Sequence, residues 1–192
     1  MVWVLGEGAR RNSNSLIRML EKMLKSGFDK NIAIELINSN LLLKSREEAF
    51  ATLDATILDL NNGKVEFIKV GACPTYVKKQ GKVDIINSIT LPVGILNDVD
   101  IDIYGKDLYD GDILVMCTDG VIDSNTEYQN KELWMKNMLE NLRTDNVQKI
   151  ADLIITESID NGYGIAKDDM TVIVIKLDKM WKKGLSLFFI VW

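Results

Sequence analysis

The chain has 192 residues, of which 47% are hydrophobic and 27% are charged, a composition typical of a soluble domain with a substantial core. Its formal net charge of −5 argues against nucleic acid as the main partner, because phosphate backbones bind basic surfaces. The sequence contains no histidine, which excludes Ser-His-Asp and Cys-His catalysis and histidine metal ligands. Any hydrolytic chemistry must therefore depend on carboxylates, lysines or metal-bound water.

The N-terminal third predicts two helices joined in a hairpin. Apolar residues recur at helical spacing from Leu16 to Leu24 and again from Ile32 to Leu41. The polar cluster at 12–15 is expected to cap the first helix, Gly27 to end it, and Asp29 to cap the second. Both helices would bury one apolar face against the core.

From residue 51 the hydrophobic pattern changes to that of strands. Segments 51–60, 64–70, 75–79 and 83–86 are separated by turn residues and predict an antiparallel meander. Asp98, Asp100 and Asp102 alternate with apolar residues. A calcium-binding EF-hand loop would need glycine at its sixth position and glutamate at its twelfth, so we expect these acids on the solvated face of a strand.

A continuous apolar run from Ile113 to Cys117 is typical of a buried strand, and it ends at the sequence Thr118-Asp119-Gly120. Helices are predicted over 131–142 and after a cap at Thr144 or Asp145. The apolar run 171–177 predicts a second buried strand. Helices, strands, helices and a strand follow one another, an order that indicates an α+β fold with antiparallel sheets.

Acidic residues stand at one end of each predicted buried strand. Asp119 follows the first strand, and Asp168 and Asp169 precede the second. If these strands are antiparallel neighbours, the acids meet, and their mutual repulsion favours a hard cation such as Mg²⁺ or Mn²⁺ between them. Two such ions could activate water for attack on a phosphoryl group. Alternatively, the acids only cap turns.

Four segments together resemble the type 2C (PPM) metal-dependent protein serine/threonine phosphatases, and within them the bacterial stage II sporulation protein E branch. They read VEFIKVGACPTYVKK, LPVGILNDVDID, GDILVMCTDGVID and KDDMTVIVIKL. The resemblance runs from about residue 6 to residue 177. It implies an antiparallel β-sandwich flanked by helices in αββα layers. We therefore expect one such domain over 1–178 and an atypical apolar tail over 179–192.

The resemblance also implies roles for individual residues. Asp119 and Asp168 match metal ligands and would act through metal-activated water, with two Mn²⁺ or Mg²⁺ ions expected. Gly120 matches the glycine beside the ligand and is a weaker backbone candidate. Asp123 is an outer-shell candidate, and Asp169 is expected to support the turn.

The implied reaction is hydrolysis of a phosphoserine or phosphothreonine. In the sporulation branch the substrate is a phosphorylated anti-anti-sigma protein, whose dephosphorylation controls a sporulation sigma factor. We expect a cytoplasmic protein, in agreement with two cysteines that lack Cys-x-x-Cys spacing. The apolar run 185–192 is too short to span a bilayer, which needs about 20 residues. Full-length relatives are expected to be membrane-anchored, and a homodimer is one candidate assembly.

The N-terminus departs from the family pattern. Relatives carry two further aspartates on their first strands, one of them in an Asp-Gly-Met-Gly motif, but residues 1–5 of this chain contain no acid. We therefore expect an N-terminally truncated domain with an exposed sheet edge, weak manganese binding and little phosphatase activity. The alternative function is a catalytically impaired fragment or a non-catalytic protein-interaction module of the same family.

Overall fold

The computed structural model describes residues 2–4, 9–44, 50–59, 61–126, 128–178 and 187–191. For 2–4, 9–14, 44 and 187–191 we describe the backbone only. In chain order the elements are β1 (Val2–Val4), α1 (Ala9–Lys25), α2 (Lys30–Lys44), β2 (Ala51–Asp59), β3 (Lys64–Val70), β4 (Thr75–Lys79), β5 (Lys82–Ile86), β6 (Asp102–Asp107), β7 (Ile113–Cys117), α3 (Asp119–Ile122), α4 (Lys131–Asn141), α5 (Val147–Asn161), β8 (Val172–Lys176) and β9 (Leu187–Val191).

These elements divide into two compact units. The first unit consists of Met1–Ala72, Ser88–Asp107 and Leu185–Trp192, and the second of Cys73–Asn87 and Leu108–Gly184. Each unit has an antiparallel sheet and its own helices, so the predicted α+β class with antiparallel sheets is confirmed. Among the described residues, no helix has the length and apolar character needed to cross a membrane.

The first unit has the strand order β1-β2-β3-β6, and β9 also pairs with β2. β1 lies beside residues 51–53 of β2, whereas β9 lies beside residues 55–59. Both segments use the edge of β2 that does not face β3. Two short strands that are distant in sequence therefore cover this edge of β2 in succession, and the expectation of an exposed sheet edge stays a prediction.

Apolar faces of α1 and α2 pack on this first sheet. Leu20, Ile34 and Ile37 are almost fully buried in a cluster with residues of β2 and β3. Gly27 follows α1 with a φ of 81°, and the Asp29 carboxylate accepts a hydrogen bond of 2.9 Å from the Asn31 amide at the start of α2. These two helix boundaries confirm the sequence prediction.

Two other predictions for the first unit are wrong. The cluster 12–15 lies inside α1, which begins at Ala9, and not at the start of the helix as predicted. β6 begins at Asp102, so Asp98 and Asp100 lie in the preceding loop and not on a strand. The buried Asn38 side chain explains the loop, because it donates to two carbonyls and accepts one amide within residues 94–97.

The second unit has the strand order β5-β4-β7-β8. All five residues of β7 are buried, as predicted, whereas all five residues of β8 are partly exposed at the edge of the sheet. The prediction of a second buried strand is therefore wrong. α4 and α5 pack on the sheet through residues such as Trp134, Met135 and Ile154. The cap of α5 is Asn146, whose side chain accepts from the Lys149 amide at 3.0 Å.

Candidate active site

The register of β7 and β8 determines where the acidic residues lie. The two strands are antiparallel neighbours, and Cys117 at the end of β7 pairs with Val172 at the start of β8. Along the chain, Asp119 follows Cys117, and Asp168 precedes Val172. The two acids predicted from the sequence therefore lie at the same end of the sheet.

Thr118 joins the two segments that carry the acids. Its amide donates to the carbonyl oxygen of Thr171 at 3.1 Å, and its Oγ1 donates to the carbonyl oxygen of Asp169 at 3.0 Å. The same Oγ1 accepts from the Thr171 amide at 3.0 Å. Thr118 is only 3% exposed, so these bonds form in a low-dielectric setting. Sequence reasoning missed this role, although the polar residue at the end of a buried strand was a signal for it.

Gly120 allows the backbone of residues 168–169 to lie unusually close to the start of α3. An added Cβ would lie 2.5 Å from the carbonyl oxygen of Asp169 and 3.1 Å from the Cβ of Asp168. No side chain fits at such a separation, so glycine is required here by contact and not by its φ angle. The missing side chain lets the 168–169 backbone lie directly against α3.

The electrostatics of the site disfavour the ionised form of Asp119. Burial raises the pKa of Asp119 above its ordinary value, the hydrogen bond from the Gly120 amide opposes this rise, and the negative charges of Asp168 and Asp123 add to it. The Asp168 carboxylate accepts a 2.7 Å hydrogen bond from the Asp169 amide. A divalent cation between Asp119 and Asp168 would relieve their repulsion.

The other predicted residues lie nearby with different contacts. Asp123 forms an exposed ion pair with Lys131, with a separation of 2.9 Å between Oδ1 and Nζ. Asp169 contributes its backbone, through the amide bonded to Asp168 and the carbonyl bonded to Thr118. The expectation that Asp169 supports the turn agrees with these contacts.

A pocket of about 180 Å³ opens beside Asp168. Gly120, Asp123 and Ser124 from the α3 region line one part of it, and residues between Gly162 and Met170 line the rest. Lys167 belongs to this second group, and sequence reasoning did not single it out. Its position directly before Asp168 was the available signal.

The carboxylates of Asp119 and Asp168 suit one hard cation better than two. Asp119 and Asp168 supply carboxylate oxygens, which Mg²⁺ and Mn²⁺ prefer, and their like charges are in need of compensation. Within the described ranges, no group of three or more His, Cys, Asp or Glu side chains could hold a metal ion. A pair of ions would need further ligands.

Comparisons with known proteins give a consistent result. The family model described as stage II sporulation protein E (SpoIIE) matches residues 6–178. Stage II sporulation protein E of Bacillus subtilis (strain 168) is 40% identical over 185 residues, which cover 95% of this chain and 22% of that protein. The chain thus spans about a fifth of the length of this relative, and the resemblance inferred from the sequence motifs is confirmed.

Solved structures support the same fold. The PP2C phosphatase domain of SpoIIE from Bacillus subtilis, solved with a fragment of its regulatory domain, matches with a TM-score of 0.79 and 39% identity, covering 90% of this chain and 51% of that chain. The catalytic domain of the serine/threonine phosphatase PstP, in complex with two manganese ions, matches with a TM-score of 0.69 and 17% identity. The match covers 93% of this chain and 86% of that chain. The second likeness shows the fold alone.

Proposed function

The chain belongs to the stage II sporulation protein E family, and we propose on that basis that its acidic site serves metal-dependent hydrolysis of a phosphoserine or phosphothreonine. The observation that carries this proposal is the meeting of Asp119 and Asp168 at one end of the β7–β8 pair. Related phosphatase domains have the same fold. Metal chemistry also agrees with the lack of histidine in the sequence.

In this proposal Asp119 and Asp168 hold Mn²⁺ or Mg²⁺. A cation bound there would supply Lewis-acid activation of water and charge compensation for the phosphoryl group. Thr118 maintains the position of the 169–171 backbone through its three hydrogen bonds. Gly120 lets this backbone lie against α3, so both acids are held by backbone contacts on either side of the site.

We also propose the finer substrate assignment, a phosphorylated anti-anti-sigma protein in sporulation sigma-factor control. The support for it is family membership together with the four sequence segments that resemble the sporulation branch. Asp123, paired with Lys131 at the rim, is proposed as an outer-shell residue, and the Gly120 backbone as a weak further ligand.

One observation favours a second candidate function. Because no group of three or more His, Cys, Asp or Glu side chains among the described residues could hold a metal ion, the chain is also a candidate for a non-catalytic interaction module of the same family. Such a module would keep the fold and the helices but bind metal too weakly for catalysis.

Calorimetric titration with Mn²⁺ tests the proposal and separates the two candidates. We expect weak, saturable binding by the unmodified chain and none by Asp119→Asn, accompanied by metal-dependent hydrolysis of a generic phosphoester that the same substitution abolishes. Asp98→Asn is the matched control, because it removes the same charge from an exposed loop. A flat titration, or binding without any hydrolysis, would reject catalysis and leave the interaction module.

A further inference from the structure

We propose that Lys167 binds the phosphoryl group of the substrate in the pocket beside Asp168. This inference rests on the proposed phosphatase function and names a residue for its substrate. The pocket has a volume of about 180 Å³, and Lys167 is the one cationic residue among the described residues that line it. Inorganic phosphate, with four oxygens around one atom, is small enough for a space of this size.

The ammonium group of Lys167 is available for a ligand. Among the described residues it forms neither an ion pair nor a hydrogen bond, and it is exposed to solvent. Two other lysines of the same unit are already engaged: Lys131 pairs with Asp123, and Lys78 donates to two backbone carbonyls. Because this ammonium group has no partner among the described residues, an anion can bind it at the mouth of the pocket without breaking an existing contact there.

The pocket has few other groups that could recognise a phosphoryl dianion. The hydroxyl of Ser124 already donates to the Val121 carbonyl at 2.7 Å. Asp123 and Asp168 bring negative charge to the same pocket, and this charge would repel the substrate. A cation held by the acids would neutralise them, but attraction for the phosphoryl group then still needs a positive side chain. Lysine meets that need as a point charge that donates hydrogen bonds.

The chain position of Lys167 couples this contact to the acidic site. Lys167 directly precedes Asp168, whose backbone neighbour Asp169 is fixed by Thr118 and lies against Gly120. A phosphoryl group held by Lys167 is therefore placed next to the carboxylate that is proposed to hold the metal. Lys167 is therefore a residue that positions the substrate.

The test measures phosphate binding directly, without turnover. Inorganic phosphate is titrated into the Mg²⁺-loaded chain, and its binding is followed by the ³¹P line width for the unmodified protein, Lys167→Ala and Lys167→Arg. Lys149→Ala is the matched control, because Lys149 is exposed in the first turn of α5, at the opposite end of that helix from Gly162. The Mg²⁺ affinity of each variant is measured separately by calorimetry.

We expect Lys167→Ala to weaken phosphate binding roughly tenfold, about 1.4 kcal/mol, with unchanged Mg²⁺ affinity. Lys167→Arg should recover most of the binding, and Lys149→Ala should match the unmodified chain. Equal phosphate affinity in both alanine variants would overturn the inference, and so would a loss explained by a parallel loss of Mg²⁺ affinity. If Lys167-dependent phosphate binding persists without hydrolysis, the proposed catalysis fails while this inference stands.

Discussion

Substituting Gly120 by alanine tests whether the contact between α3 and the 168–169 backbone organises the acidic site. The new Cβ would lie 2.5 Å from the Asp169 carbonyl oxygen, whereas an ordinary van der Waals contact begins at 3.4 Å, so the two segments must separate by about 0.9 Å. The hydrogen bonds from Thr118 to the 169–171 backbone resist that movement. The strain therefore falls on the segment that carries Asp168.

Two opposing effects set the size of the change in stability. Overpacking a closely packed site costs about 1–3 kcal/mol, whereas replacing glycine by alanine in a helix gains up to about 1 kcal/mol. The strain outweighs the gain in helix propensity, so we expect a net destabilisation of about 1–2 kcal/mol by Gly120→Ala. In a chain of 192 residues this corresponds to a fall in Tm of about 2–8 °C.

Thermal unfolding followed by circular dichroism measures this fall, and calorimetric titration measures whether Mn²⁺ binding weakens with it. Gly105→Ala is the matched control, because Gly105 in β6 has no atom within 4 Å of an added Cβ and no positive φ. It should stay within about 0.5 kcal/mol of the unmodified chain. If Gly120→Ala behaved like Gly105→Ala in both assays, the close approach would have no role in positioning the acids.

Two further predictions concern charged groups of the second unit. Because the pKa of Asp119 is raised in the folded chain, its ionisation opposes folding, and the metal-free protein should lose stability as the pH rises through that raised pKa. Asp119→Asn should therefore raise Tm at pH 7, and this gain should vanish below the ordinary aspartate pKa of 3.8, which applies to the unfolded chain. A gain in Tm that is absent, or that stays constant across this pH range, would contradict the predicted direction of the effect. Lys78→Met should destabilise by about 1–2 kcal/mol, because Nζ donates to the carbonyls of Leu139 (2.6 Å) and Leu142 (2.9 Å) at the end of α4. Urea unfolding of this variant is compared with Lys82→Met, and equal stabilities would show that the two bonds contribute nothing.

Local patterns in the sequence predicted those features that depend on neighbouring residues. The apolar run of β7 and the acid-glycine pair after it are contiguous, so the buried strand and the position of Asp119 could be inferred directly. The boundary at Gly27 and the cap at Asp29 followed from conformational preferences of single residues. The predicted helix start at 12–15 was wrong because α1 already begins at Ala9, and the capping preference of single residues is a weak signal against such an extension.

Features that depend on sheet order were harder to predict. The apolar composition of β8 suggested burial on both faces, but the strand lies at the edge of its sheet, which no property of the run itself reveals. In the same way, β1 and β9 pair with successive parts of β2, although these two short strands are more than 180 residues apart in the sequence. Apolar strands carry little information about which partner they choose.

The sequence by itself determined the family and the α+β class, and it singled out Asp119 and Asp168 as candidate metal ligands. Only the tertiary structure decided that Thr118 joins their segments, that Gly120 must lack a side chain, and that Lys167, unpaired among the described residues, stands at a pocket beside Asp168. The physical reason is distance along the chain: Thr118 and Gly120 contact a segment that follows about fifty residues later, and these contacts depend on how closely the two segments pack. No local periodicity encodes such a separation, which is set by the packing of the whole unit.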